Sequence, residues 1–250
     1  MMELSKRLQA VADLVTAHYK LADIGTDHAY IPIYLTQQKK ITEAVALDVN
    51  EGPLQRAEEH IRENGLEAEI ETRLSNGFQA LQPGEVQSAV IAGMGGGLVI
   101  RILTEGAEVV RKLEECILQP QSEIEKVRAF LLEKGYEFLE EDMVCEEGKY
   151  YPMMRVHYQA EKNEDADKTI KDMENSKEQK KSRYKVECLY GRYLLMEKNP
   201  VLHQYLVKER QVFENILDNL FKQPESEKIA VRMEEVKEAL GYNEAALAYY

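Results

Sequence analysis

Between Lys20 and about Tyr158, short apolar runs alternate with stretches whose apolar residues recur at helical spacing. Five of the runs, KLADIG (20–25), EAVALDV (43–49), EAEIETRL (67–74), QSAVIAGM (87–94) and EECILQP (114–120), predict strands. Between them HAYIPIYLTQQ, GPLQRAEEHIREN, the short SNGFQAL, GLVIRILTEGAEVVRKL and SEIEKVRAFLLEKG predict helices. Strands and helices taking turns at this spacing imply βαβ units, hence an α/β domain with a mostly parallel sheet and helices on both faces. EFLEEDMVCEE and YYPMMRVHYQA come next, divided by Gly148 and Lys149, and predict an antiparallel pair at the sheet edge.

At Glu161 the pattern changes. EKNEDADKTIKDMENSKEQKKSR is polar and charged, as expected of a linker or a solvated helix. After it, NPVLHQYLVKERQVFENILDNLFK (199–222) and SEKIAVRMEEVKEALGYNEAAL (226–247) read as amphipathic helices. In the first, Leu202, Tyr205, Leu206, Phe213, Ile216, Leu217 and Leu220 form an apolar stripe. Gln223-Pro224-Glu225 interrupts the pattern and Ser226 is placed to cap the second helix, so the pair predicts an antiparallel hairpin. The expected division is an α/β domain over residues 1–160 and a helical domain over residues 161–250.

With 44% hydrophobic residues among 250, the chain can bury a substantial core. Its first residues, MMELSKRLQAVADLV, form an amphipathic charged segment rather than a signal peptide, and no run approaches the roughly 20 apolar residues of a membrane span. Cys116, Cys145 and Cys188 are scattered and lack CxxC spacing, which favours reduced thiols over disulfides or a zinc site. A soluble cytoplasmic protein without a metal centre or membrane contact is expected. The net charge of −13 argues against a nucleic-acid partner when taken alone. Residues 1–160 carry 16 Lys and Arg against 27 Asp and Glu, whereas the rest carry 16 against 18, with a basic cluster at Lys177–Arg183. Phosphate contact needs only such a local patch.

Candidate chemistry begins at LADIGTDHAY, the turn after the first strand, where a doubly wound fold holds its cofactor. A dinucleotide fingerprint would be GxGxxG; here Gly25 stands alone. Asp23 and Asp27 would lie beside a pyrophosphate and repel it. A cationic ligand suits the turn, and S-adenosylmethionine carries a sulfonium, an ammonium and a ribose but no phosphate. Asp27 either faces that cation, caps the helix starting near His28, or does both. Asp48 closes the second strand ~20 residues beyond Gly25, the usual place for a carboxylate that accepts from ribose hydroxyls. Asn76-Gly77 comes after the third strand; it either recognises the adenine edge, with Phe78 against the ring, or is a plain turn.

After the fourth strand, IAGMGGG places Gly93 and Gly95–Gly97 within five positions. Phosphate cradling would want a Lys or Ser/Thr next, as in GxxxxGK[ST], but Leu98 and Val99 stand there. The glycines therefore read as clearing space for a flat target and an activated methyl group, or as serving close helix–strand packing.

Together SKRLQAVADL, ADIGTDHAYIP, ALDVN, IAGMGGG and ILQP resemble the bacterial tRNA adenine-22 N1-methyltransferase family, from residue 4 to the C-terminal helices. The resemblance implies a Rossmann-like class I methyltransferase sheet followed by a coiled-coil-like helical domain. It implies methyl transfer from S-adenosylmethionine to ring N1 of adenine 22, in the D-loop region of tRNA. Carried onto this chain, the cofactor positions are Asp23, Gly25, Asp48, Asn76, Gly77, Ala92 and Gly93. Asn76 stands where many methyltransferases carry Asp.

Enzymes that methylate the exocyclic adenine amine commonly carry [DN]PP[FY] after the fourth strand, where this chain has AGMGG. That favours attack by the ring nitrogen, whose in-plane lone pair needs no proton removed, so catalysis would rest on in-line positioning. A carboxylate can stabilise the positive charge that develops on the base, and Asp27 is the first candidate. Met94 and Tyr30 are either stacking platforms for a turned-out base or core residues. His28 either bonds the substrate or supports the turn; Gln119 and Pro120 either border the base pocket or shape it. Lys6 and Arg7 either reach substrate phosphates or pin the first helix. Lys177–Arg183 is a solvated face or the best local candidate for tRNA backbone contacts. Two further readings stay open: a methyltransferase acting on a small molecule or protein, and a noncatalytic S-adenosylmethionine-binding or RNA-docking module. The oligomeric state is open as well, a monomer included.

Overall fold

The computed structural model describes residues 2–159, 177–224 and 226–250, which fall into two compact units divided after Lys162. The first unit runs α1 (Lys6–Asp13), β1 (Leu21–Ile24), α2 (Tyr30–Gln37), β2 (Ala44–Asp48), α3 (Glu51–Glu63), β3 (Ile70–Leu74), β4 (Ser88–Gly95), α4 (Gly96–Glu105), α5 (Ala107–Val110), β5 (Glu115–Ser122), α6 (Ile124–Glu133), β6 (Tyr136–Glu146) and β7 (Lys149–Tyr158). Its strands form one sheet in the order β3-β2-β1-β4-β5-β7-β6, the Rossmann-like arrangement that the strand–helix alternation predicts. The first five strands are parallel, while β7 is antiparallel to both its neighbours. Strand order reverses between β1 and β4, and ligands of open α/β sheets bind outside the carboxyl ends of the strands at such a switch.

Why these runs become central strands is visible in their burial. Ala22, Ile24, Val45, Leu47, Ala89, Ile91, Cys116 and Leu118 enter one core, with Val99, Leu103, Val127 and Leu131 of α4 and α6. The intervening Leu21, Ala44, Ala46, Val90 and Ile117 enter a second core, with Val11, Ile33, Ala57 and Ile61 of α1, α2 and α3. Residues two apart share a face, so a sheet covered on both sides demands continuous apolar strands. The antiparallel pair closes through Glu147 and Gly148, at φ +50° and +78°, since Glu146 pairs with Lys149. Both central residues in the left-handed region give the tight turn that matches strand twist. Arg128 of α6 and Glu141 of β6, both buried, join across 2.8 Å beneath that pair.

Two predicted helices turn out differently. Residues 75–81 form a turn, because the buried Ser75 hydroxyl donates to the Gly77 carbonyl and accepts from the Ala80 amide. The next helix breaks at Gly106, where a Cβ would stand 2.4 Å from the Phe78 ring. Phe78 is 2% exposed in the core, so it does not lie against a bound adenine ring.

The second unit contains α7 (Lys177–Tyr190), α8 (Arg192–Met196), α9 (Pro200–Phe221) and α10 (Glu227–Leu247). The polar stretch 161–176 lies outside the described residues. The predicted hairpin is antiparallel: Asn243 donates to the Leu206 carbonyl, and nearer the open end the Tyr250 hydroxyl donates to the Asn199 carbonyl. Ser226 caps α10 by accepting from the Ile229 amide. Of the α9 stripe, Leu202 and Leu206 are buried, while Tyr205, Phe213, Ile216, Leu217 and Leu220 are half-buried. Among the described residues, no helix is long and apolar enough to cross a membrane.

Candidate active site

At the end of β1 the Gly25 and Thr26 amides both donate to the Leu47 carbonyl, which folds the chain sharply back across β2. Gly25 takes φ +76°, which favours glycine, and the Met94 methyl packs into the space a Cβ would fill. Asp27 and Ala29 also adopt positive φ, +47° and +54°. Two side chains one turn apart on α3 support this turn. Arg56 pairs with the Asp27 carboxylate, and His60 Nδ1 donates to the His28 carbonyl at 3.2 Å. The His28, Tyr30 and His60 rings stack mutually, with centroids 5.0 to 5.5 Å apart.

The turn walls an open cleft of about 320 Å³ lined by Arg7, Leu8, Asp23, Gly25, Thr26, Asp27, His28, Tyr30, Ile31, Ala92, Gly93 and Gln121. Asp23 is 5% exposed and accepts from the Thr26 hydroxyl at 2.6 Å. Burial pushes its carboxyl up to about 6, the Thr26 bond opposes that rise, and the charge of Asp48 adds to it.

Eight of the predicted site residues therefore share one cleft: Arg7, Asp23, Gly25, Asp27, His28, Tyr30, Ala92 and Gly93. Asp48, Asn76 and Gly77 stand outside its lining, at the ends of β2 and β3 along the same edge of the sheet. The Asp48 carboxylate accepts from the Asn50 amide, and Gly77 holds φ +60°. The Met94 side chain packs on the core and over Gly25, not into the cleft. Gln119 is fully buried and accepts from Arg7 Nη1 at 2.9 Å, while Pro120 is buried beside it. Lys6 is a pin: its amide donates to Glu146 and its ammonium to the Cys145 carbonyl, tying α1 to β6. Asp27 caps nothing, because the N-cap of α2 is Ala29 and the Asp27 carboxylate is taken up by Arg56. His28 is wedged in the ring stack, yet its buried Nδ1 has no hydrogen-bond partner among the described residues.

The glycine run divides its work. Gly93, at φ +82°, faces the cleft. Gly96 lets α4 start against β5, since a Cβ there would sit 2.6 Å from the Ser122 carbonyl oxygen. The Gly97 amide donates to the Glu123 carboxylate at 3.2 Å. A carboxylate of the protein itself thus takes the helix-end position that a phosphate would need. An acid-lined turn without a phosphate cradle fits a cofactor carrying a sulfonium and an ammonium. Asp23 lines the cleft, and Asp48 is near enough for its charge to act on Asp23.

Sequence reasoning missed Gln121, Thr26, Arg56 and His60. Only the i, i+4 spacing of Arg56 and His60 on a predicted helix pointed to a shared face.

A family model described as a methyltransferase domain matches residues 4–154. The tRNA (adenine(22)-N(1))-methyltransferase of Bacillus subtilis (strain 168) is 30% identical over 248 residues, covering 96% of this chain and 98% of that protein. A crystal structure of Streptococcus pneumoniae Sp1610, described as a putative tRNA (m1A22) methyltransferase, superimposes with a TM-score of 0.82 at 30% identity, over 98% of this chain and 100% of that one. The same protein in complex with S-adenosyl-L-methionine matches with a TM-score of 0.78, again at 30% identity and over 98% and 100% of the two chains. The chain belongs to the methyltransferase domain family, within the group that includes the Bacillus subtilis tRNA (adenine(22)-N(1))-methyltransferase.

Proposed function

We propose that this chain transfers the methyl group of S-adenosylmethionine to ring N1 of adenine 22 in the D-loop region of tRNA, in the cytoplasm. The observation that carries the reading is the pairing of an acid-lined turn around Asp23 with a glycine-rich loop whose helix end is already occupied by Glu123. Relatives of nearly full-length similarity bear the name of that activity.

S-adenosylmethionine, when bound, supplies an electrophilic methyl carbon on a sulfonium. Asp23 meets the cationic amino-acid end, Asp48 accepts from the ribose hydroxyls, and Asn76-Gly77 lies along the adenine edge. Gly93 and Ala92 leave the strand end bare, so the target ring can approach closely. The N1 lone pair attacks without a prior proton transfer, and the adenine becomes a cation. Asp27, fixed in direction by Arg56, stabilises that charge through space. Tyr30, 36% exposed at the mouth of the cleft, offers a face on which a turned-out base can stack. Arg7 reaches the phosphate of the target nucleotide from the other wall. The helical unit serves as a tRNA-contacting arm, with exposed Lys181 and Arg183 on α7, although Arg183 already pairs with Glu187 at 2.8 Å.

Incubation with methyl-labelled cofactor and unmodified tRNA, followed by nucleoside separation, tests the reading. Label in 1-methyladenosine at position 22 is expected. Label in 6-methyladenosine, in protein or in a metabolite, or cofactor binding without any transfer, would overturn it.

A further inference from the structure

Strands β4 and β5 lose register twice at the cleft. Ala92 pairs with Gln119 and Met94 with Pro120, which leaves Gly93 unopposed on β4. Gly95 then pairs with Ser122, which leaves Gln121 unopposed on β5. Bulges re-aim the residue they free, and here two on facing strands free one residue each into the same space. Gln121 Nε2 lies 3.8 Å from where a Gly93 Cβ would stand, with Arg7 Nη1 3.7 Å from that point.

The two glutamines of this strand end have opposite fates. Gln119 is buried, with its oxygen held by Arg7 and its nitrogen donating to the Pro120 carbonyl. Gln121 is exposed in the cleft, and its carboxamide makes no hydrogen bond among the described residues. It therefore presents an acceptor and a donor side by side, both open, on the β5 wall. Asp48 stands at the end of β2, on the opposite side of β1. If Asp23 and Asp48 hold the cofactor, the β5 side of the cleft, where Gln121 stands, is left for the acceptor base.

We propose that Gln121 is the residue that reads the target base. It accepts from the exocyclic amine of adenine with Oε1 and donates to ring N7 with Nε2, which rests on the methyltransferase reading above. A carboxamide pairs with adenine in this two-point way, along the edge away from N1. That contact leaves the N1 lone pair free for the methyl group. Guanine presents two acceptors, O6 and N7, along the same edge, so Oε1 would face an oxygen and the contact would fail. The cleft thus selects adenine by the edge it holds, not by the atom that reacts.

The test uses full-length protein and tRNA carrying adenosine, purine riboside or 7-deazaadenosine at the target position, with initial rates of N1-methyl transfer as readout. Wild-type protein should prefer adenosine over each analogue by about tenfold or more in kcat/KM. Gln121→Ala should shrink both ratios by about tenfold, leaving over purine riboside only the part that the missing amine itself takes from N1 reactivity, while the affinity for S-adenosylmethionine stays unchanged. Gln121→Glu, which keeps the acceptor and loses the donor, should retain the preference over purine and lose the preference over 7-deazaadenosine. A Gln121→Ala protein that keeps the wild-type ratios overturns the assignment. Absence of 1-methyladenosine with wild-type protein would instead overturn the underlying methyltransferase reading, and the assignment with it.

Discussion

Arg7 Nη1 of α1 donates to the buried carboxamide oxygen of Gln119 on β5 across 2.9 Å, and its guanidinium lies over the Tyr151 ring of β7. The guanidinium is the sole Lys or Arg side chain among the residues lining the cleft, and a neutral amide in the core fixes its direction. An Arg held by a neutral acceptor is oriented without an ion pair and keeps donors for a phosphate. Gln119→Leu should therefore lower kcat/KM for tRNA by about tenfold, matching Arg7→Ala, while cofactor binding by calorimetry stays within error. Loss of cofactor affinity in either variant would show that the pair shapes the whole sheet end instead.

Arg56 and Asp27 form the second directed pair, joining α3 to the turn after β1. If Asp27 stabilises charge on the base and Arg56 orients it, Arg56→Ala and Asp27→Ala should each reduce kcat, and the double variant should be no worse than Asp27→Ala alone. Multiplying effects in that cycle would separate the two residues. Because Asp27 is exposed, thermal unfolding should move little in any of the three.

Asp23 gives a pH dependence whose sign is set by its burial. Its folded-state value of about 6 exceeds the ordinary 3.8, so the folded protein binds more protons than the unfolded chain between those values. This group alone therefore makes the free protein less stable as pH rises from about 4 to 6, by up to ~3 kcal/mol, and that penalty persists at higher pH. Asp23→Asn should raise the thermal midpoint of the free protein at pH 7.5 and flatten its change across that window. The cofactor cation requires the ionised form, so wild-type affinity for S-adenosylmethionine should fall as pH drops through about 6, and Asp23→Asn should bind weakly at every pH. An Asp23→Asn protein with wild-type affinity would remove Asp23 from the site.

Arg128 and Glu141 bear on stability alone. Their side chains are 2% and 0% exposed, and removing one member of such a pair leaves an uncompensated buried charge. Glu141→Ala should cost about 3–5 kcal/mol in urea unfolding. Replacing both, as Arg128→Met with Glu141→Leu, should recover most of that loss. A double variant as unstable as the single one would contradict this reading.

The sheet was legible because each central strand buries both faces and so reads as a continuous apolar run: LADI, AVALD and SAVIA could be little else. The turn at Gly25 was legible for the same local reason, a lone glycine between a strand and a helix. Residues 75–81 were misread because Phe78 and Leu81 have helical spacing, whereas the Ser75 hydroxyl competes for the backbone and Phe78 is claimed by the core under Gly106. For Lys6 and Met94 the sequence leaves a chemical and a structural role open; the Cys145 carbonyl claims the one and packing over Gly25 the other. Gln121 was beyond reach, because only the paired bulges of β4 and β5 separate its fate from that of Gln119. Nor does any local pattern tell that Glu123, 26 residues on, fills the end of α4.

Every role assigned to the cleft depends on its preference for a sulfonium donor over a pyrophosphate coenzyme. Titration calorimetry of the full-length protein with S-adenosylmethionine, NAD and ATP in turn measures that preference. Binding of S-adenosylmethionine at one site per chain, with no heat from the other two, is predicted. Saturable uptake of NAD or ATP with none of S-adenosylmethionine would contradict it.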